Sequence, residues 1–158
     1  MRTVLLRLHV PGKPASDVYQ TLADFERYPE LCDAVRSVAV TQVSENVTVS
    51  QWEVTFRAGL LRWTEQDTFD PGALSITFRQ LEGDVAVFDG SWRCVDAAQG
   101  SDVLFSADLD LGIPSLASAL EPIAARTLIA NIISIVRGLV GSAELVASDV
   151  EVPVGTAS

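Results

Sequence analysis

The stretch Asp102–Ala147, DVLFSADLDLGIPSLASALEPIAARTLIANIISIVRGLVGSAELVA, decides the fold. Its opening alternates: Val103, Phe105, Ala107, Leu109 and Leu111 share one parity, the pattern of a strand with one buried face. Gly112-Ile113-Pro114 breaks it, and Ser115 is placed to cap the next element. Ser115 to about Ala147 reads as one long helix. About 30 residues at 1.5 Å each reach roughly 45 Å, enough to cross the face of a sheet.

Working back from that helix, the chain reads almost entirely as strands. Val35–Val43, Val47–Ala58, Leu60–Phe69, Leu74–Leu81 and Val85–Val95 precede Asp102–Leu111. The turns between them carry Asn46, Asp70-Pro71-Gly72 and Glu82-Gly83-Asp84. Ahead of the series, Thr3–Val10 reads as a first strand ended by Pro11-Gly12-Lys13-Pro14. Ser16 is the predicted cap of a helix running to about Phe25, with Asp17 in its first turn. Tyr28-Pro29-Glu30-Leu31 reads as a second short helix. Strands joined by short turns make an antiparallel sheet, and a sheet with one apolar face needs a cover. The expected architecture is α+β: a curved antiparallel sheet of about seven strands wrapped on a long C-terminal helix. Residues 1–147 form one domain and 148–158 a loose tail. A hollow between sheet and helix is the expected ligand site.

The chain has 158 residues, one-domain size, with 48% apolar and 20% charged residues, so it can bury a core. Its formal charge of −10 argues against nucleic acid and against docking on anionic lipid. Charges at Glu121, Arg126, Arg137 and Glu144 interrupt the most apolar stretch, so no membrane span is expected. Two cysteines make no disulfide scaffold, and the expected setting is cytoplasmic. One histidine and scattered acids give no metal-ligand spacing, and no Gly-rich phosphate loop is present, so no cofactor is expected. Cys94 reads as a small core residue, since nothing adjacent in sequence would activate its thiol.

The candidate site comes from strand parity. Leu61, Trp63 and Phe69 belong to the inward face of their strand, and Glu65 and Asp67 share that parity. Two carboxyls aimed into an apolar hollow cannot both ionise cheaply, so at least one should hold its proton and serve as an acid or base. The competing reading places them at a wet mouth, or paired with Arg57 or Arg79. Trp52, Trp63, Phe78, Phe88, Trp92 and Phe105 fall on inward parities and could wall a site for a flat ring compound; ordinary core packing is the alternative. Thr127 and Asn131, one helical turn apart, share a helix face, and the Asn131 amide needs partners there. Ile129, Ile133 and Val140 read as an apolar patch that would suit a homodimer or another partner.

This order of elements resembles the helix-grip superfamily of START-like lipid carriers, pollen-allergen-like proteins, coenzyme Q-binding proteins and bacterial polyketide aromatase/cyclases. Three stretches carry the resemblance: Tyr28-Pro29-Glu30-Leu31, then Trp63 to Pro71 (WTEQDTFDP), and Arg79 to Gly83 (RQLEG) followed by Phe88-Asp89-Gly90-Ser91-Trp92. Among the cyclases the resemblance implies a cavity that folds a poly-β-ketone chain, delivered on an acyl carrier protein, and assists aldol condensation and dehydration. Asn131 and Trp92 match an asparagine and a tryptophan of that group. Val35 stands where the cyclase tyrosine would fall, and Gln66 or Thr68 where the pocket arginine would fall. The leading expectation is a cyclase, aromatase or dehydratase of antibiotic-type biosynthesis, with Glu65, Asp67 and Asn131 catalytic. The alternative is a non-catalytic carrier of a hydrophobic ring compound such as a quinone or polyketide.

Overall fold

A computed structural model describes residues 1–56, 59–112 and 117–149. Strand β1 (Arg2–Pro11) leads into α1 (Ala15–Ala23), a single 3-10 turn (Phe25–Arg27) and the one-turn helix α2 (Tyr28–Leu31). Six strands come next: β2 (Val35–Ser44), β3 (Val47–Phe56), β4 (Gly59–Asp70), β5 (Ser75–Gly83), β6 (Val87–Ala97) and β7 (Gly100–Asp110). Helix α3 (Ala117–Val140) and strand β8 (Glu144–Ser148) close the chain. The strands form one antiparallel sheet of eight, ordered β2-β3-β4-β5-β6-β7-β1-β8. The sheet wraps on α3, as the sequence predicts for a helix-grip fold.

Period-two burial explains the sheet. Val4, Leu6, Leu8 and Val10 of β1 are buried, as are Val103, Phe105, Ala107 and Leu109 of β7. The residues between them face outward. On that outer side Asp102 accepts from Arg7 Nε at 2.7 Å and lies 2.8 Å from His9 Nδ1, which ties β7 to β1.

Three boundaries differ from the sequence reading. Helix α3 stops at Val140 rather than near Ala147. Gly141 takes the left-handed conformation (φ 89°) and donates its N–H to Arg137 O at 2.9 Å, the geometry that ends a helix. The chain then reverses into the eighth strand. Leu145 pairs with Leu8, and Asp149, expected in the loose tail, is bound to β1: Leu5 N–H donates to its Oδ1 at 2.9 Å. Residues 150–158 lie outside the described residues, as do the Ser115 cap and Arg57. Ser16 does not cap α1. The helix starts at Ala15, whose N–H donates to Asp96 Oδ1 at 2.9 Å from the end of β6, so the cap comes across the fold.

The expected apolar patch on α3 is absent. Ile129, Ile133 and Val140 are buried, because α1, α2, β1 and β7 pack on the helix on the sides the cavity leaves free. Over Leu120–Val140 the helix is long and apolar enough to cross a membrane, but it serves here as the core helix, half buried by the protein itself. Gly138 lets α3 approach α2: a Cβ there would strike Leu31 O and come within 3.2 Å of Cys32 Sγ.

Candidate functional site

β3 and β4 set the site in register. Trp52 stands opposite Trp63, Ser50 opposite Glu65, and Thr48 opposite Asp67. All six point to the concave side, because residues two apart on a strand share a face. The pairing of β4 with β5 shifts between Thr64 and Glu65, but the extra residue is Leu81 on β5, exposed. The bulge therefore leaves the inward parity of β4 intact.

The hollow between sheet and α3 is lined by Trp52, Trp63, Phe78, Phe88, Trp92 and Phe105, together with Glu65 and Asn131. All six aromatics read from parity reach it. Phe25 and Tyr28, from the short helical segment, close one end. Sequence reasoning does not mark either as a wall; their signal is their place in and beside the Tyr28-Pro29-Glu30-Leu31 stretch. Trp52 and Trp63 lie parallel, planes 2° apart and centroids separated by 5.8 Å, and Phe88 meets Trp63 edge-on at 5.3 Å. The cavity measures about 60 Å³ as space open to the centres of water molecules. That is room for a few waters and falls well short of the roughly 300 Å³ or more typical of ligand pockets, so a ring-sized ligand is admitted only if the walls part.

One described boundary of the cavity lies where β3, β4 and α3 meet. Phe56, Leu61 and Asn131 line the cavity there and are half-buried, and Thr55 is exposed. Asn131 Nδ2 donates to Thr55 O at 2.9 Å and ties helix to sheet. One amide N–H of Asn131 is thus committed to the backbone. Thr127 is not a wall of the cavity: its hydroxyl donates to Ile123 O at 3.0 Å, one turn back in its own helix.

Glu65 and Asp67 are both buried, at 4% and 0% exposure. Glu65 lines the cavity; Asp67 sits behind it, outside the lining. Trp63 Nε1 donates to Glu65 Oε1 at 2.6 Å. Thr48 Oγ1 and Ser50 Oγ donate to Asp67 Oδ2 at 2.8 and 2.6 Å, and Trp52 Nε1 donates to Ser50 Oγ at 2.8 Å. Burial is the main force holding the Glu65 carboxyl well above its ordinary value. A hydrogen bond with Asp67 and its negative charge act the same way, while the Trp63 N–H opposes them. Among the described residues no cation pairs with either acid, and Arg79 is exposed on the sheet's other side. Sequence reasoning misses Thr48 and Ser50, although they share the parity of Trp52.

Burial also pushes the Cys94 thiol up to about 12 and, with the charge of Asp33, the Cys32 thiol to about 11, so neither is a ready nucleophile. Among the described residues no group of three or more His, Cys, Asp or Glu could hold a metal ion.

If its walls part, the hollow can take up an apolar ring compound and present to it one buried carboxyl raised above its ordinary value. Known proteins share the fold. A protein of Thermus thermophilus superposes with a TM-score of 0.78 at 24% identity, covering 87% of this chain and 94% of its own. The ZhuI aromatase/cyclase of Streptomyces sp. R1128 gives 0.72 at 21%, covering 89% and 92%. In sequence, the chain is 27% identical over 116 residues to the actinorhodin polyketide synthase bifunctional cyclase/dehydratase of Streptomyces coelicolor. The match takes in 68% of this chain and 36% of that protein, so it spans about a third of the relative's length. The profile of polyketide cyclase / dehydrase and lipid transport proteins matches residues 12–135, most of the chain, and the chain belongs to that family.

Proposed function

We propose that the chain is a polyketide cyclase/aromatase-like enzyme that takes up a neutral poly-β-ketone-type intermediate between sheet and helix and assists its cyclisation or dehydration. The observation that carries the proposal is a buried carboxyl, Glu65, pushed well above its ordinary value by burial, in an otherwise almost wholly apolar, aromatic-walled cavity. A carboxyl raised by burial above its ordinary value is suited to give and take protons there. In loss of water from a β-hydroxy ketone, Glu65 passes its proton to the departing hydroxyl, which leaves as water. It takes the proton from the adjacent carbon as the carbon–carbon double bond forms, and ends protonated as it began. Asp67 supports it from behind. The amide N–H of Asn131 not engaged with Thr55 is a donor for a ligand carbonyl. Trp52, Trp63, Phe78, Phe88, Trp92 and Phe105 hold the rings in place. An acyl carrier protein is the proposed source of the chain, and no metal or redox cofactor is invoked.

The test is to incubate the protein with a reactive poly-β-ketone thioester and compare products with those formed spontaneously. A changed product distribution that is lost in Glu65→Gln/Asp67→Asn supports the reading. An unchanged distribution with wild-type protein ends it. The second reading, a carrier of a hydrophobic ring compound, is favoured by one observation: Glu65 and Asn131 bring the few polar groups to a wall that is otherwise hydrocarbon and aromatic. Native mass spectrometry showing a bound apolar molecule released intact, without conversion, would favour it.

A further inference from the structure

We infer that Glu65 and Asp67 share a single proton whose place is fixed by their neighbours, with Glu65 the neutral acid facing the cavity and Asp67 the ionised positioning residue behind it. The order comes from counting donors. The Ser50 hydroxyl has one hydrogen and accepts the Trp52 N–H at 2.8 Å, so its own hydrogen goes to Asp67 Oδ2 at 2.6 Å. Thr48 gives that same oxygen a second hydrogen at 2.8 Å. Asp67 Oδ2 therefore accepts two hydrogens where Glu65 Oε1 accepts one, so negative charge is better held on Asp67. Asp67 Oδ1 is buried and has no donor among the described residues while both acids are ionised. Glu65 is the acid that interacts with Asp67, by hydrogen bond and by charge. Glu65 Oε1 already accepts from Trp63 at 2.6 Å. With two donors on Asp67 against one on Glu65, the remaining proton belongs on Glu65 Oε2, from which it is donated to the donorless Asp67 Oδ1. One proton satisfies the orphaned oxygen and removes one of two buried charges.

Among the described residues the groups facing this pair offer no rival counter-charge. From α2 comes the neutral phenol of Tyr28, whose hydroxyl donates to Leu22 O at 2.6 Å. From β3 come Thr48, Ser50 and Trp52, and β6 carries the buried thiol of Cys94, which burial pushes up to about 12. Helix α3 contributes Asn131 and aliphatic side chains to the cavity. Trp52 thus has two roles: its face walls the cavity, and its N–H orders the proton at the far end of a Ser50–Asp67 chain. The assignment gives the proposed acid–base reading its protonated group and rests on that reading for its purpose, but its test reads the protons themselves.

Infrared difference spectroscopy near neutral pH checks it. The wild type is expected to show a buried protonated-carboxyl C=O band, lost in Glu65→Gln and retained, with its titration moved down toward the ordinary carboxylate range, in Asp67→Asn. Ser50→Ala keeps both carboxyls and removes a donor from Asp67; it is expected to move the titration upward. A role confined to packing would not move the band in opposite directions. A band retained in Glu65→Gln and lost in Asp67→Asn reverses the order, and no such band in the wild type removes the shared proton; either result overturns the inference. Because no turnover is measured, a reversed order overturns it without deciding the cyclase reading, and the assignment can hold for a carrier.

Discussion

Trp63 donates its indole N–H to Glu65 two residues along the same strand, at 2.6 Å. The two side chains share the inward face of β4, so the ring that walls the cavity also steadies the acid inside it. This N–H opposes the burial that raises the Glu65 carboxyl above its ordinary value. Trp63→Phe keeps a ring and loses the donor. Glu65 should then hold its proton to higher pH, seen as an alkaline shift of its carboxyl band. The lost hydrogen bond and reduced contact should cost about 1–2 kcal/mol in urea denaturation.

Stability should carry the same signature. An unfolded chain releases the Glu65 proton near the ordinary value of 4.5, while the folded chain retains it to a higher pH. Below 4.5 both states hold it, and the stabilisation is present in full. Between 4.5 and the raised folded value only the folded state does, so this contribution falls by about 1.4 kcal/mol per pH unit and is gone once the folded group ionises. Glu65→Gln lacks the slope. Urea midpoints from about pH 5 to about pH 8 should show wild type losing ground to Glu65→Gln as pH rises. Parallel curves would mean that Glu65 is no more protonated folded than unfolded.

Gly138 is a test of how α3 meets α2. An alanine there collides with Leu31 O and crowds Cys32 Sγ, and the helix must move. Gly138→Ala should destabilise the protein by about 1–3 kcal/mol despite alanine's better helix propensity. A stabilised Gly138→Ala would show that the close approach is not maintained in solution.

The pair retains one negative charge, and no cation lines the described cavity. Ligands of the same shape should be sorted by charge: 2-naphthol should bind at least about tenfold tighter than 2-naphthoate by isothermal titration calorimetry near neutral pH. Asn131→Ala, which cuts the tie to Thr55 O, should speed naphthol association in stopped-flow fluorescence. Equal affinity for the anion would contradict the charge assignment.

The sequence carried the sheet, the helix and the aromatic walls because each rests on periodicity. Trp52, Trp63, Phe78, Phe88, Trp92 and Phe105 could be placed by counting in twos. The same count put Glu65 and Asp67 inside. What it could not supply was depth: parity gives Glu65 and Asp67 the same face, and only the packed structure separates the one at the cavity wall from the one behind it. Thr48 and Ser50 were visible in parity but lacked meaning until β3 and β4 were in register, because a hydroxyl takes its role from the group opposite. The end of α3 was missed at Gly141, where apolar composition outweighed a left-handed glycine, and the strand after it was lost with it. Ile129, Ile133 and Val140 looked exposed because a helix apolar all round has no visible front from sequence alone.

Glu65 is proposed to move protons on a ligand held in this cavity. The direct measurement is the rate of water loss from a small aromatic β-hydroxy ketone, followed by enone absorbance, for wild type and Glu65→Gln, with naphthol binding measured on both. Wild type should accelerate the reaction, and Glu65→Gln should lose about 10²-fold or more while still binding naphthol. Undiminished turnover in Glu65→Gln, or a wild type that binds and converts nothing, would contradict the account.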